Sequence, residues 1–259
     1  MKKNDRYTRL TEILRVRSSV PVKDLARMLS VSEMTVRRDL KDLNKNGVVE
    51  NVNGIFVYNP AHLGVGAGIT YRLADEVEKQ NKQKEAIGLF AASMVERNDF
   101  IIVDTGTTTE RIIPNLPFDC DITVLCYNVN ILMELRRNPG VKMLFGGGHY
   151  HPNTQMFECE ESERFIRKFR AQKVFVSAAG IHPQLGVTCA NDYELPTKKA
   201  ILESSLQKIL VSDSSKFGAV RSSYFCELNK FDDIVTDSGL SGEWRRLIAS
   251  LGIKLHIVL

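Results

Sequence analysis

Five apolar runs in the sequence each end in glycine, hydroxyl-bearing or charged residues, which are residue types that bind small polar ligands. The carboxyl ends of parallel strands meet at one edge of a sheet, so we expect these clusters to share one ligand site. The clusters read DTGTTT (104–109), YN (127–128), GGG (146–148), SAAG (177–180) and DSSK (213–216).

The first of these clusters has the composition of an anion site. Gly106 and the three threonines after it are expected where a helix begins, so that backbone N–H groups, hydroxyls and the helix dipole converge on a negative charge. Lys216, at the end of DSSK, could add a counter-charge. The pattern predicts a phosphorylated small molecule, and the absence of GxxxxGK[ST] disfavours a nucleoside triphosphate.

Two other stretches suggest further chemistry. HYH (149–151) would place His149 and His151 on one face of an extended chain, but no third ligand is evident, so we expect no metal and no cofactor. CANDYELPTKK (189–199) surrounds a loop-to-helix junction with charged residues that either read sugar hydroxyls or form a solvated helix cap. These residues are Asp192, Glu194, Lys198 and Lys199.

Residues 31–40, VSEMTVRRDL, have the pattern of a short helix with two adjacent arginines. Ser32 is expected as its N-cap, and Val36, Leu40 and Leu43 lie on one face at 100° per residue. The opposite face is polar and cationic, which suits the major groove of DNA. Its members are Ser32, Glu33, Met34, Thr35, Arg37, Arg38 and Lys41.

Two more helices and a hairpin would position this cationic face. Apolar spacing predicts helices over Asp5–Arg17 and Lys23–Leu29, the second joined to the third by a tight turn. In VVENVNGIFVY (48–58), two β-rich runs flank Asn53-Gly54, which favours a hairpin turn. The order of elements predicts a winged helix-turn-helix DNA-binding domain over residues 1–58.

The distribution of charge agrees with that division. Residues 1–58 hold 12 Lys+Arg and 7 Asp+Glu, a net charge of +5, whereas residues 59–259 hold 23 and 24, a net charge of −1. Such asymmetry is typical of a small nucleic-acid-binding module joined to a neutral domain.

Composition sets the expected environment of the chain. No apolar run reaches the ~18–20 residues of a membrane span, so no membrane partner is expected. The five cysteines are scattered without a CxxC pair, which indicates a reduced, cytoplasmic protein whose cysteines are small buried hydrophobes.

The remainder of the chain predicts an α/β domain. Residues 59–80 begin with NPAHLGVGAGIT, rich in small residues, and are interpreted as a linker; their glycines do not form GxGxxG. From 81 to 259, short apolar strands alternate with helices, which favours a parallel, Rossmann-like sheet. Strands are predicted at 100–103, 122–125, 141–145, 174–177, 209–212, 234–236 and 254–259, and helices between them at 107–113, 130–137, 162–169, 196–205 and 243–251.

The sequence resembles the DeoR family of bacterial transcriptional regulators. The resemblance is carried by VPVKDLARMLSVSEMTVRRDL near the amino end and by DTGTTT, GGGHYH, VSAAGIH and VSDSSKFG further on. It implies an effector domain similar in fold to ribose-5-phosphate isomerase, double-stranded operator DNA and a sugar phosphate as partners, and a homo-oligomer, either a dimer or larger. The phosphate-binding residues that it implies are Asp104, Gly106, Thr107, Thr108 and Thr109, with Lys216, Gly147 and Gly148 nearby. The strand-end clusters and the loop-to-helix junction add Asn128, Gly180 and Glu194 to the expected effector residues.

Within the family, SAAGIH, CANDYELP and DSSKFGAVR are similar to a member for which deoxyribose 5-phosphate is the implied inducer and nucleoside-catabolism genes are the implied targets. Two positions depart from the usual family pattern. The wing has Glu50 and Asn53-Gly54 in place of a basic residue before two glycines, and Tyr127 stands where a threonine is usual.

Three functions remain open at this point. The leading one is a repressor, not an enzyme, that a sugar phosphate releases from DNA. An isomerase-like enzyme with an appended DNA-binding module could instead use Asp104, Asp192, Glu194 or Asp213 for acid–base chemistry. An activator of the same architecture would contain the same parts.

Overall fold

The structure is a computed structural model that describes residues 3–17, 20–45, 48–52, 55–58, 80–117 and 121–259. The chain divides into two units, which are described separately. The described part of the first unit is residues 3–58, apart from its gaps, together with residues 218–220. The second unit contains residues 80–217 and 221–259, apart from its own gap.

The N-terminal unit consists of three helices and a two-stranded antiparallel sheet. Its elements are α1 (Lys3–Arg17), α2 (Val22–Leu29), α3 (Glu33–Lys45), β1 (Val49–Val52) and β2 (Ile55–Tyr58). Val52 pairs with Ile55, which gives the register expected of a tight hairpin. The predicted turn residues Asn53-Gly54, and residues 59–79 of the predicted linker, lie outside the described residues.

The core of this unit confirms the predicted helix faces. Val36, Leu40 and Leu43 of α3 are buried with Leu25 and Leu29 of α2 in one apolar cluster. Because these residues recur at helical spacing, their burial turns the other side of α3 toward solvent.

A seven-stranded parallel sheet forms the centre of the larger unit, so the prediction of a parallel α/β fold is confirmed. Two buried layers flank it, because successive side chains point to opposite faces of a strand. In spatial order the strands are β14 (Lys254–Val258), β13 (Asp233–Asp237), β11 (Ser205–Val211), β8 (Ala171–Val176), β3 (Phe100–Val103), β4 (Thr123–Cys126) and β5 (Lys142–Phe145).

Strand β8 shows how both faces are covered. Val174 and Val176 lie in one apolar cluster, and Phe175 between them lies in the other. Helices pack on the sheet from the connections between strands. They are α4 (Asn81–Ser93), α5 (Val129–Leu135), α6 (Glu160–Ile166), α7 (Leu195–Glu203) and α8 (Gly242–Ser250).

The structure differs from the predicted elements in two ways. The helix predicted at 107–113 is instead a 3-10 helix, Thr109–Asn115, which contains Pro114; proline has no N–H to continue an α-helical ladder. Short antiparallel strands were also not predicted, because three or four residues show too little periodicity. They are β6 (His149–His151), paired with β7 (Met156–Glu158), and a sheet of β9 (Gly180–His182), β10 (Gly186–Cys189) and β12 (Ser223–Cys226).

Two global expectations can be compared with the described residues. Within those ranges, none of the helices combines the length and apolar character needed to cross a bilayer. Cys126, Cys189 and Cys226 are free and buried, and burial raises the pKa of each thiol to about 12. Cys120 lies outside the described residues.

Candidate functional site

The exposed face of α3 carries the cations that the sequence placed there. Arg37, Arg38 and Lys41 are exposed, and Met34 in the first turn is 75% exposed although its side chain is apolar. These residues face a groove that the hairpin closes on its other side. The groove is lined by Met34, Thr35, Arg37, Arg38, Lys41, Asn51 and Phe56.

Ser32 and Thr35 have a local role at the start of α3. The Thr35 backbone N–H donates to Ser32 Oγ at 3.2 Å, and the two hydroxyl oxygens are 2.9 Å apart. Ser32 therefore caps the helix, as the sequence predicted. The Thr35 hydroxyl is held beside it, so both side chains have fixed positions at the amino end of the exposed face.

A second pocket lies in the larger unit, where β3 and β8 end. Its floor comes from the loop after β3 and from residues 177–179 after β8. The turn between β6 and β7, the start of α7 and the segment after β11 complete it. Its lining residues are Thr105, Gly106, Thr107, Thr108, Thr154, Ser177, Ala178, Ala179, Cys189, Ala190, Glu194, Lys198 and Lys216.

Asp104 is the centre of a buried hydrogen-bond network beneath this pocket. Its carboxylate accepts the Thr105 N–H at 2.8 Å, the Ser177 N–H at 2.9 Å and the hydroxyl of Tyr127. It also forms an ion pair with Lys198, with Nζ 2.5 Å from Oδ2. The carboxylate has no exposed surface, so its negative charge is balanced by these donors rather than by solvent.

Lys198 is fully buried and connects that network to the pocket. Its Nζ also donates to the Ser177 carbonyl oxygen at 3.1 Å and lies 5.0 Å from the centre of the Phe225 ring. Burial alone would lower the pKa of Lys198, but the nearby charges of Asp104 and Glu194 outweigh it and raise the pKa. Lys198 therefore stays cationic at neutral pH.

Glu194 immediately precedes α7, the helix that carries Lys198. It forms a capping box with Asn191, whose N–H and side-chain amide donate to Glu194 Oε1 at 3.1 and 2.9 Å. Burial raises the pKa of the Glu194 carboxyl, and the charge of Lys198 offsets part of that increase. Because residues four apart share a helix face, the same turn brings Glu194 and Lys198 to the pocket.

Several predicted effector residues line the pocket and others do not. Gly106, Thr107, Thr108, Glu194 and Lys216 are among the lining residues. The other predicted effector residues are also among the described residues, but they do not line the pocket. They are Asp104, Thr109, Asn128, Gly147, Gly148 and Gly180.

Two of these residues are held by contacts within the protein. Asp104 is buried and already bonded to several donors, and these contacts hold the loop after β3. Thr109 is fully buried, and its hydroxyl donates to the Gly106 carbonyl oxygen at 2.9 Å. The change from α-helix to 3-10 helix also reduces the expected contribution of a helix dipole.

The other four have structural positions. Asn128 is buried and donates to Asn130 Oδ1 at 2.7 Å. Gly147 and Gly148 are exposed, and the φ of +131° at Gly148 is one that glycine adopts readily. Gly180 is buried in β9, and its carbonyl oxygen accepts the Thr188 hydroxyl at 3.1 Å.

In the sequence, Lys198 is one of several charged residues whose role the pattern does not decide. Asp192 and Lys199 are exposed, whereas Glu194 and Lys198 are buried. Helical spacing does not separate the two lysines, because Lys198 lies three residues before the buried Ile201 and Lys199 lies three residues before the buried Leu202. The burial of Lys198 depends on its ion pair with Asp104, a contact distant in sequence. Pro196 in the first turn fixes where that helix begins.

Thr154 was not predicted at all, because its position depends on tertiary contacts. It lies in the turn between β6 and β7, where its carbonyl oxygen accepts the Thr105 hydroxyl at 3.0 Å. Its own hydroxyl oxygen is 3.2 Å from that of Tyr193.

The HYH segment supports this turn. The His151 ring stacks on the Tyr193 ring with centroids 3.7 Å apart, and its Nε2 is 3.1 Å from Glu158 Oε1. Among the described residues, no group of three His, Cys, Asp or Glu side chains could hold a metal ion.

The pocket therefore combines two buried or half-buried lysines with hydroxyls, a carboxyl group and a glycine-containing loop. Lysine ammonium groups and loop N–H groups bind phosphate oxygens, while carboxyl groups and threonine hydroxyls pair with sugar hydroxyls. Such a set can hold a small molecule that carries both an anionic group and hydroxyls.

Solved structures resemble part of the chain. Ribose 5-phosphate isomerase from Plasmodium falciparum matches with 53% of each chain covered, 16% identity and a TM-score of 0.39. The eIF2B beta subunit from Chaetomium thermophilum matches 55% of this chain and 41% of its own, with 16% identity and a TM-score of 0.40.

Curated relatives match nearly the whole chain. The deoxyribose operon repressor of Escherichia coli K12 is 31% identical over 254 residues, which cover 98% of both chains. The lactose phosphotransferase system repressor of Staphylococcus epidermidis RP62A is 29% identical over 242 residues, with 92% of this chain and 93% of the relative covered.

Two family models match the two units. Residues 6–60 match the DeoR-like helix-turn-helix domain, and residues 79–238 match the DeoR C terminal sensor domain. The first contains the exposed cationic face of α3 and the second contains the pocket between β3, β8 and α7. This chain therefore belongs to the DeoR family of bacterial transcriptional regulators.

Proposed function

We propose that the chain is a repressor of a sugar or deoxyribonucleoside catabolism operon, and that a phosphorylated sugar releases it from operator DNA. Deoxyribose 5-phosphate is the best candidate for that sugar. The observation that carries the proposal is the pocket, in which Lys198 and Lys216 lie with the Gly106–Thr108 loop and Glu194.

The phosphate group is assigned to the cationic part of the pocket. Gly106, Thr107 and Thr108 lie in the loop after β3, and Lys216 comes from the segment after β11. An anion there would meet a positive charge and loop hydroxyls in a partly enclosed space, where electrostatic interactions are stronger than in water.

The sugar is assigned to the part of the pocket near α7. Glu194 can pair with sugar hydroxyls, and Cys189 and Ala190 form an apolar neighbouring surface. The name of the Escherichia coli relative, a deoxyribose operon repressor, supports a deoxypentose over other sugars. A sugar that lacks one hydroxyl also requires fewer polar partners.

The proposed mechanism is a shift between two arrangements of the chain. An effector releases DNA when it binds the arrangement that is not competent for DNA better than the competent one. A change of about 100-fold in DNA affinity requires a preference of about 2.7 kcal/mol. In a dimer, two α3 helices would occupy half-sites ~34–36 Å apart.

Effector binding can be tested by thermal unfolding of the full chain with a panel of sugar phosphates. A ligand that binds the folded state at 100 times its Kd raises the unfolding free energy by about 2.7 kcal/mol. We expect deoxyribose 5-phosphate to raise Tm and deoxyribose to leave it unchanged. The variant Lys216→Met should lose most of the shift, whereas a shift of equal size with both sugars would refute the assignment of the phosphate.

One observation favours an enzyme as a second candidate. Glu194 is a buried carboxyl group with a raised pKa beside Lys198, and such pairs occur at catalytic sites. A sugar-phosphate isomerase would turn over ribose 5-phosphate steadily, and Glu194→Gln would abolish that turnover. The α3 surface is not needed for such a reaction, which is why we prefer the repressor.

The sign of regulation needs a separate test, because an activator has the same parts. A reporter gene placed under the bound DNA should rise in expression when the protein is absent. A fall in expression would indicate an activator.

A further inference from the structure

The recognition helix α3 carries a buried aspartate immediately after its two exposed arginines. Asp39 has no exposed surface, and Arg6 of α1 binds it through two atoms. Arg6 Nε lies 2.7 Å from Asp39 Oδ2, and Arg6 Nη2 lies 3.1 Å from Asp39 Oδ1. The two side chains are 11% and 1% exposed, so the pair is nearly desolvated.

The place of Arg6 in α1 is unusual for a cation. Leu10 and Leu14 follow it at four-residue intervals, and both are fully buried in the apolar core of the unit. Arg6 therefore continues the stripe by which α1 packs, at a position where an apolar residue would be expected.

An ion pair at this position is a poor source of stability alone. Removing two charges from water offsets most of their attraction, so an apolar pair of similar volume would stabilise the unit about as well. What the pair adds is direction, because a planar guanidinium fixes both the distance and the orientation of a carboxylate. The apolar contacts of Val36, Leu40 and Leu43 are not directional.

A second polar contact joins the same two helices. Asp42, one turn after Asp39, accepts the Tyr7 hydroxyl at 2.7 Å and pairs with Lys3 at 3.0 Å. Its side chain is 34% exposed and that of Lys3 is 57% exposed, so solvent screens this contact. Asp42 is therefore a suitable control for Asp39, because it is also an aspartate of α3 that contacts α1 but is less buried.

From this geometry we infer that the Arg6–Asp39 pair is a positioning element for DNA recognition. It sets the rotation of α3 against α1, and thereby the direction in which Arg37 and Arg38 project toward base edges. Arg6 and Asp39 contact no DNA in this account and act through the two arginines. The inference rests on the DNA-binding role proposed above for α3.

The test compares two duplexes and two matched variants of the full chain. The first duplex is one that the wild-type protein enriches from a random-sequence pool, and the second has the same composition in scrambled order. Asp39→Asn should weaken binding to the enriched duplex by about tenfold or more, the equivalent of one lost base contact at ~1–3 kcal/mol. Binding to the scrambled duplex and the salt dependence should not change, since phosphate contacts remain.

Asp42→Asn is the control and should leave both affinities unchanged. Thermal unfolding of each variant identifies a temperature at which all of them are folded, and DNA binding is measured at that temperature. If Asp39→Asn does not fold, Arg6→Lys takes its place, because lysine keeps the charge but cannot form the two-atom contact. The exchange Arg6→Asp with Asp39→Arg should recover part of the discrimination.

Two outcomes would overturn the inference. If Asp39→Asn weakens binding to both duplexes equally, the Arg6–Asp39 pair has a purely structural role. If it weakens binding to neither duplex, the pair has no role in recognition. A wild-type protein that prefers no duplex would instead contradict the DNA-binding proposal itself, so the two failures can be distinguished.

Discussion

Lys198 and Asp104 illustrate how one buried ion pair can organise a ligand site. Each alone would be a costly buried charge, and together they hold the loop after β3 to Ser177 and to α7. The pocket depends on this pair even though Asp104 does not line it.

The first prediction concerns the loss of one partner. Lys198→Met leaves Asp104 charged and buried, so the free energy of unfolding should fall by about 3–5 kcal/mol. The double variant Lys198→Met with Asp104→Asn removes both charges and should be more stable than the single variant. Urea unfolding measures the free energy of unfolding of both variants. If the loss in the double variant equals the sum of the losses in the two single variants, the proposed coupling is wrong.

The second prediction concerns pH. The pKa of Glu194 is raised in the folded state, so the folded chain binds more protons than the unfolded chain above the ordinary carboxyl value of about 4.3. The contribution of Glu194 to stability therefore declines as pH rises through its folded pKa. Glu194→Gln should gain stability relative to wild type as pH rises from about 4 to neutral. If the difference in unfolding free energy between Glu194→Gln and the wild type does not change with pH, this prediction is wrong.

At the scale of single residues, sequence predicts some positions better than others. The exposure of Arg37 and Arg38 follows from helical periodicity, since Leu40 and Leu43 define the opposite face. The burial of Lys198 does not follow from helical periodicity. A lysine is buried in a core only when it is paired, and its partner Asp104 is distant in the sequence.

At the scale of elements, the close approach of two strand-end loops determines the shape of the pocket. A Cβ built on Gly106 would lie 2.7 Å from Ser177 Cβ and 2.8 Å from Ser177 Oγ. The loop after β3 can approach β8 only because residue 106 has no side chain.

A third prediction tests that contact. Gly106→Ala should lower the unfolding free energy by ~1–3 kcal/mol through overpacking and should weaken effector binding. Gly147→Ala is the matched control, because a Cβ there meets no atom within 4 Å. Equal behaviour of the two variants in unfolding and thermal-shift assays would contradict the proposed role of Gly106.

The elements themselves were predictable where they are periodic helices or continuous apolar runs. The central strands read as short apolar runs because both faces of the sheet are buried. The β6–β7 hairpin was not predicted, because its strands have three residues each and its position depends on Tyr193 and Thr105. The α-helix that was predicted after DTGTTT is not formed beside the pocket. A 3-10 helix that contains Pro114 takes its place.

At the scale of the whole molecule, charge is divided between two functions. Residues 1–58 have a net charge of +5 and the rest of the chain −1. DNA attraction should therefore come from the N-terminal unit, while the larger unit does not repel or attract a duplex strongly.

A fourth prediction follows from this division. Arg38→Ala should weaken binding to all duplexes and reduce the slope of log K against log salt by about 1 if Arg38 contacts phosphate. If Arg38 contacts a guanine, discrimination at one position should fall by ~1–3 kcal/mol. Fluorescence anisotropy across a salt series measures both, and no change in either would exclude Arg38 from the interface.

The most direct test of the central claim is release of bound DNA by sugar phosphates. The full-length protein is bound to its enriched, fluorescently labelled duplex, and anisotropy is followed as deoxyribose 5-phosphate or deoxyribose is added. We predict release by the phosphorylated sugar alone, with little release by it from the Lys216→Met variant. Release by both sugars to the same extent, or an absence of any salt-sensitive binding to DNA, would contradict the account.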